Sequence, residues 1–402
     1  MIDEGERREM YEPRTETLML NVGPHHPSTH GVLRLVVELD GEYVINLTPH
    51  LGYLHSGFEK LAESKTYHQY IPVTDRLDYM AGSYNNFAYC LAVEKLLDIE
   101  VPPRGRYIRV LMGELTRIFS HLLWLGTHAV DLGALTPVFY MVGREREQIM
   151  NLFEMVSGGR LFQTYFRIGG LAADLPEGFV EKVREFVTAF PRKVDDYEAL
   201  LTKNPIWMER GVGVGVLSKK DAIALGASGP VARASGLAWD IRKAHPYSSY
   251  DDFDFDIPVF HEGDVYSRYL VRVEEMRQSA RIVQQVLDRI PDGPICADAP
   301  KVVPPPKQKT LTRIESLIHH FLIMEEGFKP PKGEVYMSVE SPHGELGFYI
   351  VSDGGPKPYR LKIRPPCFVN LQSLATMAKG RLLSDLIAIL TSIDIVLAEI
   401  DR

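Results

Sequence analysis

Long stretches in the middle of the chain repeat apolar side chains at the spacing of an α-helix, and this pattern constrains the fold most. In residues 106–126, leucine and isoleucine recur every three or four positions, and Gly126 is expected to end the helix. Residues 136–159 form a second such segment between a Thr-Pro start and a Gly-Gly stop, and residues 176–204 form a third, interrupted at Pro191. The sequence therefore predicts a core of long helices.

Shorter segments near the two ends of the chain predict β structure. Asp40-Gly41 separates two apolar-rich runs and is a turn pair that supplies the positive φ angles of a tight hairpin. Close to the C-terminus, GEVYMSVES, GELGFYIVSDGG and YRLKIR are typical of antiparallel strands. The expected fold class is α+β, mainly α, with a central bundle of long helices and small antiparallel β elements at its periphery.

No long linker or internal repeat divides the chain, so one domain is expected over 17–402, after a mobile polar tail at 1–16. The expected regions of this domain are an N-terminal β region at about 17–50, a helical core at about 59–330, a second β region at about 332–364 and a C-terminal helical segment at about 370–402.

Composition excludes several classes of protein. Acidic residues outnumber basic ones, 53 against 45, and no basic block is present, which argues against binding to nucleic acid. Cys90, Cys296 and Cys367 lie far apart, which suits a reducing compartment and excludes a cysteine-based zinc or iron–sulfur site within this chain. The charged N-terminus is unlike a signal peptide, and no apolar run is long enough to predict a transmembrane helix.

Histidines are concentrated in one predicted loop, GPHHPSTHG, at residues 23–31. The loop holds His25, His26 and His30, and it is followed along the chain by His50, His55 and Glu59. This spacing is compatible with a metal site, and a histidine near a carboxylate is equally suited to donate protons near neutral pH. Both interpretations remain open from the residues alone. GVGVGV at 211–216 lacks the spacing of a nucleotide-binding loop, and a glycine-rich strand or turn is expected there.

Long irregular segments resemble one known family. NVGPHHPSTHGVLR and HLGYLHSGFEKLAESKTY closely resemble signature segments of the 49 kDa subunit family of respiratory complex I, the D-type subunits of bacterial NADH–quinone oxidoreductases. The resemblance extends through RIGGLAADLP and RASGLAWDIRKAHPY to the terminal DIVLAEIDR. That family is related to the large subunit of nickel–iron hydrogenases, and the resemblance implies a hydrogenase-large-subunit-like fold.

The hydrogenase relatives bind their metal through two cysteine pairs, and this chain has neither. The matching stretches are residues 76–81 and 394–399, where the cysteine positions hold Asp78, Ala81, Val396 and Glu399. Because such a metal centre requires soft thiolate ligands, no metal is expected here. In the family, the cavity binds a quinone headgroup instead. Ala81 and Ile395 differ from the residues expected at these positions, a small polar residue and a proline, and both are expected to affect which quinone binds.

The resemblance also implies roles for individual residues. His30 matches the histidine that binds the headgroup, Tyr79 matches its partner tyrosine, and Asp131 matches the carboxylate that pairs with the histidine; all three are expected to be catalytic. His26 and Val396 are expected beside the quinone with His30 and Tyr79. Arg76, Asp394 and Arg402 are expected to support the site, with structural ion pairing as the alternative for the two arginines. Imidazole and phenol groups both carry a hydrogen that can reach a quinone oxygen near neutral pH.

The implied function is that of a peripheral-arm subunit of proton-pumping NADH:quinone oxidoreductase on the cytoplasmic face of the cell membrane. This chain would bind no cofactor, and electrons would arrive from an iron–sulfur cluster in the adjacent small subunit of the B type. Further expected partners are the 30 kDa subunit of the C type, the membrane subunit of the H type and other complex I subunits. A ferredoxin-fed complex of the cyanobacterial or plastid type is the alternative. An active hydrogenase is excluded by the missing cysteines. Substitution of His30 would distinguish a subunit that takes part in quinone reduction from a purely structural scaffold.

Overall fold

The computed structural model describes residues 16–402, and for Pro27, Leu135, Thr136, Pro137, Phe139 and Tyr140 it describes the backbone alone. The predicted tail at 1–16 lies outside the described residues except for its last position. The division of the chain into a tail and one domain therefore stays a prediction.

Helices make up most of the described chain. In chain order they are α1 (Phe58–Ala62), α2 (Tyr67–Thr74), α3 (Gly82–Leu97), α4 (Pro103–Leu132), α5 (Leu135–Ser157), α6 (Phe179–Leu201), α7 (Pro205–Gly211), α8 (Lys219–Ala224), α9 (Gly229–Ala234), α10 (Ile241–Ala244), α11 (Val265–Arg289), α12 (Lys307–Thr312), α13 (Ile314–Glu325), α14 (Pro366–Leu371), α15 (Ser373–Ala378), α16 (Leu383–Ile393) and α17 (Leu397–Asp401). No helix within residues 16–402 has both the length and the apolar character that crossing a bilayer requires.

The strands of the described chain form three small antiparallel sheets, β1-β2-β3, β4-β5 and β6-β7-β8. They are β1 (Leu18–Val22), β2 (Arg34–Asp40), β3 (Tyr43–His50), β4 (Phe166–Arg167), β5 (Gly170–Leu171), β6 (Gly333–Ser341), β7 (Gly344–Ser352) and β8 (Arg360–Arg364). The predicted hairpin is confirmed: β2 and β3 pair as far as Asp40 and Tyr43, and Gly41 in the turn has a φ of 60°. The predicted fold class, α+β and mainly α, is also confirmed.

The central helix α4 packs against α5 and α11. Pro103 lies in its first turn, where the N–H that proline lacks would have no partner within the helix. The predicted end at Gly126 is wrong, because the helix continues to Leu132 and ends at Gly133, whose φ is 99°. Most side chains of α4 around Gly126 are buried, and this packing outweighs the low helix propensity of one internal glycine, which costs about 1 kcal/mol.

The predicted interruption at Pro191 is also wrong. α6 runs continuously from Phe179 to Leu201 with Pro191 inside it. Proline removes one helical hydrogen bond, but α6 buries a full apolar stripe against its neighbours, and this packing holds the helix together on both sides of the proline. The buried residues of this stripe are Phe179, Val183, Phe186, Val187, Phe190, Val194, Tyr197 and Leu201.

Two groups of buried apolar side chains hold the molecule together. The larger group joins α3, α4, α5, α6 and α11 to the sheet of β6, β7 and β8. The second group joins the N-terminal sheet to the C-terminal helices, because Leu35 and Val37 of β2 face the same core as Ile389 and Ile393 of α16. The N-terminal sheet and the C-terminal helices therefore meet, which brings the histidine loop that precedes β2 close to the residues that follow α16.

A set of buried charged side chains, here called the core network, crosses the helical core. Its members are Glu114, Arg117, Arg233, Asp240, Arg242, Glu275 and Glu340. Arg233 contacts Glu275 at 2.6 Å and Glu340 at 2.7 Å, and Arg242 contacts Glu114 at 3.1 Å. The Arg117 guanidinium donates to the backbone oxygens of Glu340 and Ser341 at 2.6 and 3.1 Å. The network thereby anchors the end of β6 to the helices.

Candidate functional site

The site is built around the C-terminal end of α16. Arg272 of α11 donates to the carbonyl oxygens of Ser392 and Ile393 at 2.9 and 3.1 Å. These are among the last carbonyls of a helix, which have no partner within the helix itself, so a cationic side chain satisfies them well. The next residue, Asp394, leaves the helix with a φ of 61°. Its position is fixed by this capping.

Asp394 lies beside His343 and Arg272. Its Oδ2 is 3.2 Å from Nδ1 of His343 and 3.7 Å from Nε of Arg272. Burial alone would raise the pKa of Asp394, but His343, Arg272 and His121 outweigh burial and hold this pKa below its ordinary value. Asp394 is therefore ionised at neutral pH and presents a negative charge to its surroundings.

His30 lies in the loop before β2 with a φ of 55°. Its surface is largely exposed, but the protein around the ring displaces enough water to lower the pKa of His30, while Asp394 acts in the opposite direction. Thr29 fixes this loop, because its hydroxyl donates to the backbone oxygen of His26 at 2.9 Å. His30 is thus an accessible imidazole on a defined turn, within the field of Asp394.

Tyr79 lies in the turn between α2 and α3. The turn is formed by Asp78, whose Oδ1 accepts hydrogen bonds from the backbone N–H groups of Met80 and Ala81 at 2.9 and 3.0 Å. Tyr79 is half-buried, and burial together with the negative charges of Asp78 and Asp394 raises its pKa to about 12. The hydroxyl therefore keeps its hydrogen at neutral pH and can donate it to an acceptor.

Asp131 lies in the last turn of α4 and is half-buried. Burial raises its pKa, and positive charge on His26 and Arg210 acts to lower it. Within residues 16–402, no hydrogen bond or ion pair joins Asp131 to His30. The carboxylate instead interacts electrostatically with His26, an exposed residue of the loop that holds His30, whose Nδ1 accepts from the N–H of Ser28 at 3.2 Å.

Val396 and Glu399 lie behind this surface, next to Cys367. The N–H of Val396 points at the sulfur of Cys367 at 3.4 Å, and Glu399 accepts from the N–H of Cys367 at 3.2 Å. Glu399 is fully buried, and burial and the nearby Asp78 carboxylate raise its pKa to about 7, with His343 opposing them. Within residues 16–402, no three His, Cys, Asp or Glu side chains are arranged to share a metal ion.

The two predicted supporting arginines lie in local contacts of their own. Arg76 is exposed and stacks over the ring of Phe162, 4.7 Å from its centroid. Arg402 contacts Glu59 at 3.2 Å and stacks over Phe368 at 4.7 Å. The contact of Arg402 with Glu59 is an ion pair of the kind expected as the alternative, whereas Arg76 forms no ion pair among the described residues.

The structure thus brings His30, Tyr79 and Val396 together around Asp394, and it leaves Arg76 and Arg402 in separate contacts. Sequence reasoning missed His343, which lies at the centre of the charged residues. The only available signal was its place in the ESPHGELG segment, because a histidine in a two-residue hairpin turn is normally exposed, whereas this one is buried.

Comparison with known proteins shows which family the chain resembles. Residues 131–402 match the family model described as respiratory-chain NADH dehydrogenase, 49 Kd subunit. The second D-type subunit of NADH-quinone oxidoreductase from Chloroflexus aurantiacus is 58% identical over 392 residues, which are 97% of this chain and 95% of that protein. The D-type subunit from Geotalea uraniireducens is 57% identical over 388 residues, 96% of this chain and 99% of that protein. The D-type subunit from Geobacter sulfurreducens is 56% identical over the same share of each chain.

These matches cover nearly the whole chain at more than half identity, and the family model matches about two thirds of it. The chain therefore belongs to the 49 kDa subunit family of respiratory-chain NADH dehydrogenase, complex I, as a subunit of an NADH–quinone oxidoreductase.

Proposed function

We propose that this chain forms the quinone headgroup site of a proton-pumping NADH:quinone oxidoreductase and supplies protons as the quinone is reduced. The observation that carries the proposal is the convergence of His30 and Tyr79, from separate segments, on the field of one carboxylate, Asp394. Each side chain bears a hydrogen suited to one of the two quinone oxygens.

The reaction requires two electrons and two protons, one proton for each carbonyl oxygen. An iron–sulfur cluster in an adjacent subunit supplies the electrons. Tyr79, with a pKa of about 12, holds its proton until the quinone oxygen has gained enough negative charge to take it. His30 donates to the other oxygen. Val396, in the second apolar group beside Cys367, contributes an apolar wall to the headgroup.

Asp131 acts on the histidine loop in this proposal. It interacts electrostatically with His26, and a carboxylate that attracts one histidine of the loop also helps to orient the turn that carries His30. His26 then lies at the edge of the quinone site. Arg76, Asp394 and Arg402 support the surrounding backbone and charges.

The proposed partners are the small iron–sulfur subunit, the 30 kDa subunit and the membrane subunit, with the assembly on the cytoplasmic face of the cell membrane. A row of exposed apolar side chains along α12 and α13 supports docking of other subunits, because soluble surfaces rarely expose such a row. Its members are Leu311, Ile314, Leu317, Ile318, Phe321 and Leu322. The names of the relatives favour NADH over ferredoxin as the source of electrons.

Replacement of His30 by alanine in the assembled complex tests the proposal. We expect loss of most quinone reduction, while NADH oxidation by an artificial acceptor such as ferricyanide continues, because electron entry does not involve this loop. His25→Ala is the matched control, since His25 is an exposed histidine of the same loop. Normal quinone turnover in a fully assembled His30→Ala complex would exclude the donor role.

A further inference from the structure

His343 occupies an unusual place for a histidine. β6 and β7 pair as far as Ser341 and Gly344, so Pro342 and His343 alone form the turn between them. The turn points into the molecule, and only 1% of His343 is exposed. Asn370 holds it there by donating to the backbone oxygen of His343 at 3.1 Å.

Both ring nitrogens of His343 face a carboxylate. Nε2 is 3.1 Å from Oδ2 of Asp78, and Nδ1 is 3.2 Å from Oδ2 of Asp394. Neither contact is aligned as a hydrogen bond, so attraction between charges holds the ring. A neutral imidazole carries one N–H and would turn a lone pair towards the second carboxylate, whereas an imidazolium matches both. Burial would lower the pKa of His343, but Asp394 and Asp78 raise it well above its ordinary value.

Each of the two carboxylates also acts on a residue of the proposed quinone site. Asp78 uses its second oxygen, Oδ1, to form the turn that carries Tyr79. Asp394 is the charged group that acts on His30 among the described residues. His343 is therefore the one side chain in residues 16–402 that touches both carboxylates.

We propose that His343 is a positioning residue for quinone reduction: its imidazolium fixes the Asp78 turn that presents Tyr79 and offsets the Asp394 charge that faces His30. This inference rests on the proposed function, because it assigns a role relative to His30 and Tyr79. The other titratable groups near this pair are Glu399 of α17, Arg272 of α11 and His121 of α4. None of these three bridges the two carboxylates.

The test is the pH dependence of kcat/KM for a short-chain quinone in the assembled complex carrying His343→Gln. Without the imidazolium, the charge on Asp394 acts on His30 with less opposition and raises the pKa of His30. His30 then stays protonated to higher pH, so the decline of kcat/KM at the basic side should move upward by about one pH unit. A purely structural role would lower the rate without moving this decline.

His343→Lys keeps a positive charge at this position, so the decline of kcat/KM at the basic side should stay at the wild-type pH. His245→Gln is the matched control, because His245 is exposed and belongs to neither carboxylate. If His343→Gln prevents assembly by leaving two buried carboxylates, the double variant Asp78→Asn/His343→Gln carries the same test. The asparagine oxygen can still accept from Met80 and Ala81, and Asp394 remains charged.

A decline at the wild-type pH in an assembled His343→Gln complex would overturn the inference. The result is distinguishable from failure of the proposed function. If His30→Ala keeps normal quinone turnover, the proposed function fails; if His30→Ala loses turnover and His343→Gln leaves the decline unmoved, only the positioning role of His343 fails.

Discussion

Two groups of buried charges in this protein are built in different ways. In the core network, every charged side-chain atom has a hydrogen-bond partner within the described residues. Around Asp394, by contrast, both ring nitrogens of His343, one oxygen of Asp394 and one oxygen of Glu399 are buried without an aligned partner. We call Asp78, His343, Cys367, Asp394 and Glu399 the cleft cluster.

The pKa values of the carboxylates also differ between the core network and the cleft cluster. Burial would raise the pKa of Glu114 in the core network, but Arg117 and Arg242 lower it to about 2. Glu399 in the cleft cluster is buried to the same degree, has no guanidinium beside it and has a pKa of about 7. Fully paired charges hold a fold in one arrangement, while buried groups with incomplete pairing and shifted pKa values are enriched at sites that exchange protons or bind a ligand.

Disruption of the core network should have the largest effect on stability. We expect Arg233→Met to lower the free energy of unfolding by about 3–5 kcal/mol, because Glu275 and Glu340 would lose their main buried counter-charge. The yield of assembled complex and its unfolding temperature measure this effect. Arg160→Met is the control, since Arg160 forms only solvent-exposed ion pairs, which contribute little to stability. Equal stability of the two variants would contradict the structural role of the network.

Glu399→Gln tests the incomplete pairing of the cleft cluster through the pH dependence of stability. The pKa of Glu399 in the folded protein, about 7, exceeds its ordinary value of 4.5. Its contribution to stability is therefore complete below pH 4.5 and is lost as pH rises to about 7, by up to about 3 kcal/mol. Amide hydrogen exchange in α17, corrected for its intrinsic pH dependence, should show this loss in the wild type and not in Glu399→Gln. Exposed Glu209→Gln should behave like the wild type.

Replacing a tyrosine by phenylalanine beside the cleft cluster and beside the core network tests the comparison further. Tyr79→Phe should raise KM or lower kcat for a short-chain quinone roughly tenfold to a hundredfold, which corresponds to about 1–3 kcal/mol, with little change in stability. Tyr250→Phe removes a hydroxyl that donates to Glu114 at 2.7 Å in the core network. It should lower the free energy of unfolding by about 1–2 kcal/mol and leave the kinetics unchanged. Kinetic effects of the same size from both variants would show that Tyr79 does not act on the substrate.

Much of the fold could be predicted because it depends on local pattern. The Asp40-Gly41 hairpin and the antiparallel strands near the C-terminus follow from turn residues and apolar patterns over short segments. The two errors, at Gly126 and Pro191, arose where a residue of low helix propensity lies inside a helix. There the packing of the whole bundle, which no local pattern records, outweighed the preference of one residue.

Some features of the site could likewise be predicted from the sequence, and others could not. By itself, the sequence determined the helical architecture, the histidine loop, the absence of the cysteine pairs and, through its resemblance, the family. Only the tertiary structure decided that Asp78 and Asp394 share one buried imidazolium, and that Asp131 interacts electrostatically with His26. The physical reason is that these contacts join residues far apart along the chain, and their energies depend on burial and on the distances between charges, which exist only once the two ends of the chain have packed together.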